Sequence, residues 1–316
     1  MELIGSPFDL CGFRRGSRLG PDAVRQAGLL EAMCDLGIPI LDLGNGPAPN
    51  PRTSKGLKNF DSLLENTRWL GEKLDVAFSQ SKIPLVIGGD HTTGAITVAA
   101  ANRAFPGDVA VLWVDAHTDL NTPASTPSGN LHGMPLAAAL GRASGVTGTK
   151  DEQWRTWLEH VANPALASNR VAWFGIRDVD RGEREVLKDL DGAYVCTMYD
   201  IDRHGMVVML DRLDEWLRET GVKKLWISFD VDVLDPILAP GTGTAVRGGL
   251  TYREMHLMAE MLCEFLGDGA YSLAGLDIVE INPLFDTNNE TARAAVEWIA
   301  SLFGKTILDK RETPIR

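Results

Sequence analysis

The segment Val109-Ala110-Val111-Leu112-Trp113-Val114-Asp115-Ala116-His117-Thr118-Asp119 runs six apolar residues into three metal-competent side chains at alternate positions. An unbroken apolar run of this kind reads as a strand buried on both faces, as in a parallel sheet. In extended backbone residues i, i+2 and i+4 share a face. Asp115, His117 and Asp119 therefore converge where the chain leaves the sheet, at the rim where open α/β sheets bind ligands. That is half of a metal site. Other apolar strands end in the same character: His91 after one, Asp178 and Asp180 after another, then Asp230 with Asp232, and Glu280. A single such end reads as a helix cap or a solvated turn; five together do not.

The chemistry follows from the donor set. Four Asp and two His with no thiolate suit a hard or borderline divalent ion such as Mn²⁺. Six ligands are too many for one catalytic metal with an open position. They suit two ions roughly 3.5–4 Å apart, sharing carboxylates and a bridging water. Four ionised Asp cancel two divalent cations, so a bridging hydroxide leaves the cluster near −1, which favours a cationic substrate. Coordination makes that hydroxide available at neutral pH. Glu280 is a candidate to hold a guanidinium through paired hydrogen bonds, and His132 a candidate proton donor for the leaving nitrogen.

The elements that must position these groups alternate along the chain. Strands are expected at Leu3–Gly5, Pro39–Leu43, Pro84–Ile87, Val109–Val114, Arg170–Ile176, Tyr194–Met198, Lys224–Phe229 and Ala274–Glu280. Helices are expected at about Asp22–Leu36, Phe60–Phe78, Gly94–Ala104, Gly182–Leu190, Val207–Glu219, Thr251–Leu266 and Glu290–Phe303. A Pro/Asn/Gly-rich loop is expected through about Lys55, another at Asn121–His132, and Gly141–Lys150 reads as a break carrying a surface insertion. This alternation predicts one α/β domain spanning residues 1–316: a three-layer sandwich whose central, mostly parallel sheet is flanked by helices.

Composition narrows the function classes. The 316 residues are 44% hydrophobic and 23% charged, as in an ordinary globular protein. A net charge of −12 without a basic run argues against nucleic-acid binding. No stretch approaches the ~20 apolar residues of a membrane helix, and the start has neither the basic region nor the apolar core of a signal peptide. Cys11, Cys34, Cys196 and Cys263 form no Cys-x-x-Cys pair and read as reduced, mostly buried thiols of a cytoplasmic protein. His160, His204 and His256 lie away from strand ends and read as surface or structural groups. The eight Trp read as core or interface packing.

Gly88-Gly89-Asp90-His91-Thr92, Asp115-Ala116-His117-Thr118-Asp119 and Ser228-Phe229-Asp230-Val231-Asp232-Val233-Leu234-Asp235-Pro236 resemble the three metal signatures of the ureohydrolases. That superfamily includes arginases, agmatinases and formimidoylglutamases. The resemblance runs from Gly20-Pro21 to about Phe303. It implies a binuclear manganese site, two ions per chain, held by His91, Asp115, His117, Asp119, Asp230 and Asp232.

The loop Asn121–Gly133 resembles the arginase substrate loop. By that resemblance Asn121, Thr126, Ser128 and Asn130 meet an amino acid's α-carboxylate and His132 shuttles the proton. Arg177-Asp178-Val179-Asp180 with Glu183 resembles the segment recognising the α-amino group, and Val279-Glu280-Ile281-Asn282-Pro283 the one whose Glu holds the guanidinium. Agmatine has no carboxylate for the Ser/Asn set, so the arginases are the sharper match. The implied reaction is hydrolysis of L-arginine to L-ornithine and urea by a metal-bridging hydroxide, with Asp119 hydrogen-bonded to it, in a cytoplasmic homotrimer or hexamer. Another guanidino substrate, such as agmatine or guanidinobutyrate, and a binding protein without turnover are the alternatives. A binuclear phosphoesterase would want an Arg/Lys clamp that this carboxylate-rich set lacks. Thr92 stands where the family usually has Ser and Val233 where many arginases have Gly, and Gly141–Arg170 matches no arginase stretch by eye.

Overall fold

The structure is a computed structural model that describes residues 1–52 and 55–307. Eight strands form one sheet: β1 Glu2–Gly5, β2 Leu41–Asn45, β3 Pro84–Ile87, β4 Val109–Val114, β5 Val171–Ile176, β6 Tyr194–Thr197, β7 Lys224–Asp230 and β8 Ser272–Val279. Their order is β2-β1-β3-β8-β7-β4-β5-β6, and every neighbouring pair is parallel. Parallel pairing requires crossovers, and helices supply them. They are α1 Gly20–Gln26, α2 Leu29–Asp35, α3 Phe60–Ser79, α4 Thr92–Ala104, α5 Pro135–Ala139, α6 Thr149–Val161, α7 Arg181–Lys188, α8 Met198–His204, α9 Met206–Thr220, α10 Tyr252–Gly267 and α11 Glu290–Leu302.

The sheet separates two apolar cores, and β4 shows how the strand period of two feeds both. Ala110, Leu112 and Val114 enter the core shared with α1, α2, α9, α10 and α11. Val109, Val111 and Trp113 enter the core shared with α3, α4, α5 and α6. Burial on both faces is why this strand reads as a continuous apolar run.

Several expectations are corrected. The helix expected over Asp22–Leu36 is two, because Gly28 takes a left-handed φ of 92° between α1 and α2. The second strand lies two residues later than expected, at Leu41–Asn45. The last residue of the expected sixth strand, Met198, instead opens α8, whose N-terminus is fixed by a Thr197–Asp200 capping box. Three helices were not foreseen, α5, α6 and α8. The expected break is a mostly exposed loop as far as Gly148; beyond it α6 buries Trp154, Trp157 and Val161, a 3–4 spacing that makes one apolar stripe. At ~25 cal/mol/Å² each indole contributes an upper estimate of about 4–6 kcal/mol. The eight Trp otherwise behave as expected, with Trp113, Trp154, Trp157, Trp173, Trp226 and Trp298 fully buried. None of the four cysteines forms a disulfide; Cys11 and Cys196 are buried, but Cys34 is exposed.

Candidate metal centre

Each acidic or imidazole group sits at the carboxyl end of one of five adjacent strands. His91 caps α4 just after β3, Asp115–Asp119 follow β4, Asp178 and Asp180 follow β5, Asp230 and Asp232 close β7, and Glu280 follows β8. In the sheet these strands run β3-β8-β7-β4-β5, so residues up to 189 positions apart meet on one rim. Close chain approach is built in: a Cβ on Gly89 would lie 1.9 Å from the Phe8 carbonyl oxygen. Asp119 and Glu280 both take left-handed backbone, at φ 55° and 63°, a strained state that clusters at functional sites.

Five of the six expected ligands form two groups sharing Asp115: His91, Asp115 and Asp230 in one, Asp115, His117 and Asp232 in the other. His91 Nδ1 lies 3.0 Å from Asp115 Oδ2, 3.1 Å from Asp119 Oδ2 and 3.1 Å from Asp230 Oδ2. His117 Nδ1 lies 3.3 Å from Asp115 Oδ1 and 3.1 Å from Asp232 Oδ2. Yet His91 Nδ1 and Asp119 Oδ2, both buried, have no hydrogen-bond partner.

The His91 tautomer explains why. Ser228 Oγ donates to Asp277 Oδ1 at 2.7 Å and accepts from His91 Nε2 at 3.0 Å. The ring proton is thereby held on Nε2, and the bare Nδ1 lone pair faces three carboxylates. A cation among them would satisfy that arrangement. The donor set fits divalent metal ions.

The surroundings hold the ligands in place. Asp115 accepts from the Trp113 indole at 3.0 Å and from the His117 amide at 2.7 Å. Asp232 accepts from the Ala116 amide at 3.2 Å and the Thr244 hydroxyl at 2.8 Å. Asp277 also accepts from Thr97 and Trp226. Burial, then the charge of Asp115, pushes the Asp119 carboxyl up to about 6. Burial and neighbouring carboxylates also raise Asp230 and Asp232. Asp115 is held low: burial opposes this, but bonds from both imidazoles outweigh it. Like charges pressed together in a dry site are what bound cations relieve.

A cleft of about 240 Å³ opens onto this cluster. Its walls include His91, His117, Asp119, Asp230 and Asp232, and also Asn121, Thr126, Ser128, Asn130, His132, Asp180 and Glu183. Asp115 lies behind the wall, fully buried. Glu280 also lies behind it, with His132 Nδ1 2.8 Å from its Oε1. Burial works to lower the His132 pKa, but the Glu280 carboxylate outweighs it and holds the imidazole above its ordinary value.

The substrate-loop residues have spent their acceptor sides on the backbone. Thr126 Oγ1 accepts from the Gly129 amide at 3.0 Å, and Ser128 Oγ from the Asn130 amide at 3.1 Å. The two hydroxyls also lie 3.5 Å from each other, so one O–H can bridge them while the other faces the cleft. Opposite, Asp180 and Glu183 form the capping box of α7. Asp180 Oδ2 also accepts from Asn121 Nδ2 at 2.7 Å. Both Glu183 oxygens take backbone amides, those of Leu120 and Asp180, and burial followed by the Asp119 charge pushes its carboxyl up to about 7.

The two departures from the family pattern are accommodated. Thr92 keeps the hydroxyl, which bonds Asp90 Oδ1. Val233 packs against Gly175, at φ 93°, where a Cβ would lie 2.4 Å from Val233 Cγ2. Arg177 ties this turn down, donating to the carbonyls of Asp232, Val233 and Val246. Ser228, Asp277, Thr244 and Trp113 were not singled out from the sequence. A serine and an aspartate inside apolar strands were the available signal for the first two. His256 is structural, with Nδ1 2.8 Å from Ser301 Oγ.

Comparison with known proteins agrees with this geometry. The sequence profile of the Arginase family matches residues 1–304, the stretch 141–170 included. Arginase from Bacillus subtilis (strain 168) is 38% identical, over 98% of this chain and 99% of its own. The solved arginase of Bacillus caldovelox is 36% identical with a TM-score of 0.87, over 97% of this chain and 99% of that one. The agmatine ureohydrolase of Thermoplasma volcanium is 25% identical with a TM-score of 0.69, over 96% of this chain and 88% of that one. The match is whole-length in sequence and in fold, and the chain belongs to the arginase family.

Proposed function

We propose that the protein hydrolyses L-arginine to L-ornithine and urea at a binuclear manganese centre, with two ions held by His91, Asp115, His117, Asp119, Asp230 and Asp232. The observation that supports this best is the cleft's polarity. A donor-rich rim at Thr126, Ser128 and Asn130 faces the Asp180 carboxylate, above a floor of clustered acids and imidazoles. An α-amino acid with a cationic tail complements all three parts.

Bound divalent ions supply the Lewis acidity that makes water nucleophilic at neutral pH. The chain's own groups do the rest. Asn121, Thr126, Ser128 and Asn130 hold the α-carboxylate, and Asp180, backed by Glu183, takes the α-ammonium. Glu280 orients the guanidinium by charge-assisted hydrogen bonds. Asp119 accepts a hydrogen bond from the attacking water and aims it at the guanidinium carbon. As the bond from that carbon to the side-chain nitrogen breaks, His132, kept protonated by Glu280, delivers the proton the leaving amine needs. Urea and ornithine result.

We read the chain as one domain, since all eight strands join one sheet. We place it in the cytoplasm, a reading supported by four cysteines that form no disulfide. Assembly as a homotrimer or hexamer is checked by light scattering. The decisive experiment pairs metal analysis with urea release after manganese loading. About two equivalents of metal, with urea from arginine but not agmatine, is expected. Equal rates on the two would overturn the carboxylate-loop assignment; no urea from either would overturn the hydrolase reading.

A further inference from the structure

We infer that Lys58, outside the cleft, is the positioning residue that sets the α-carboxylate subsite and with it the preference for an amino acid over its decarboxylated amine. Its Nζ donates to the Ser128 carbonyl at 2.8 Å and to Asn130 Oδ1 at 2.8 Å. An ammonium has donors and no acceptor. The amide atom facing it must therefore be the oxygen, which leaves the Asn130 NH₂ to serve the cleft that Asn130 lines. A carboxylate accepts from such a group; with the amide turned over, its oxygen would repel one.

The lysine's base is anchored apart from the loop it holds. The Leu57 amide donates to Gln153 Oε1 at 2.7 Å, and the neighbouring Asn59 Nδ2 donates to the Leu10 carbonyl at 2.7 Å. The held segment has no regular structure and turns through Gly129 at φ 69°, so its conformation depends on such ties. Charge reinforces the geometry. The cleft wall carries Asp119, Asp178, Asp180, Glu183, Asp230 and Asp232 and neither lysine nor arginine. Asp178, Asp180 and Glu183 lie outside the metal-ligand set, and Lys58 places a positive charge behind the rim where the substrate carboxylate would sit.

This inference rests on the arginase reading above, and its test separates the two. Lys58→Met keeps the stem and removes the charge and donors at an exposed position, so folding is expected to survive. The KM for arginine is expected to rise about tenfold, the scale of a lost charge-assisted hydrogen bond, with kcat within about twofold. As competitive inhibitors, ornithine should weaken by a similar factor while putrescine, which lacks the carboxylate, does not. Lys58→Arg should recover most of the loss. An unchanged KM, or ornithine and putrescine weakening together, overturns the inference while wild-type turnover of arginine still stands. A wild-type protein that releases no urea from arginine overturns the functional reading, and this inference with it.

Discussion

At the residue scale, the site separates groups that bind metal from groups that move protons. Asp232 is fixed by the Ala116 amide and the Thr244 hydroxyl, so its loss empties a prepared position. His132 touches Glu280 and belongs to neither ligand group. Asp232→Ala is expected to lose manganese and urea production together, whereas His132→Ala keeps the metal and loses turnover by about 10²–10⁴-fold. Metal content measured beside kcat distinguishes them. The Glu280 carboxylate also holds His132 above its ordinary pKa against the effect of burial. A raised value means that the protonated form persists to higher pH, so neutralising Glu280 should move the titration down. In metal-free Glu280→Gln protein the His132 midpoint, followed by NMR of labelled histidine, should fall; an unmoved midpoint would dissociate the pair.

At the element scale, the end of β7 and the turn after it carry two ligands, and that turn is shaped by what lies under it. Val233 fills the space left by the missing side chain of Gly175, and Arg177 ties the carbonyls of the turn to that of Val246 in the following loop. Gly175→Ala meets both a left-handed backbone and a clash, and should destabilise by about 2–4 kcal/mol. Adding Val233→Gly should return the part due to the clash and leave the backbone part. Urea denaturation of the two single variants and the double checks the coupling. Strict additivity would show that the two residues do not press on each other.

At the scale of the whole molecule, five adjacent strands must keep their order for the cluster to exist. Ions that bind the assembled rim and not the unfolded chain stabilise the fold by about 2.7 kcal/mol at a hundredfold excess over Kd. Manganese should therefore raise the thermal midpoint, and Asp115→Ala, which removes the carboxylate shared by both ligand groups, should abolish most of that rise. Calorimetry with and without manganese measures it. A midpoint indifferent to the metal would argue against a site built from the assembled sheet.

Sequence and tertiary structure divide the account by range. The apolar runs ending in Asp and His, the strand–helix alternation and the ligand types were legible along the chain, because a strand's period of two is local and buried parallel strands read as unbroken apolar runs. The break at Gly28 was less legible, since a glycine tolerated within a helix and one that ends it look alike. The Trp154–Trp157–Val161 stripe of α6 was present in the sequence but hidden behind a loop-like Gly/Ser/Thr flank.

By itself, then, the sequence determined which chemistry was available and that it sat at the ends of strands. Only the tertiary structure decided that β3, β8, β7, β4 and β5 lie side by side, that Asp277 reaches His91 through Ser228, and that Lys58 grips Asn130. Those partners are separated by up to about two hundred positions. Their meeting depends on how the helices pack the sheet from both faces, which no local periodicity records.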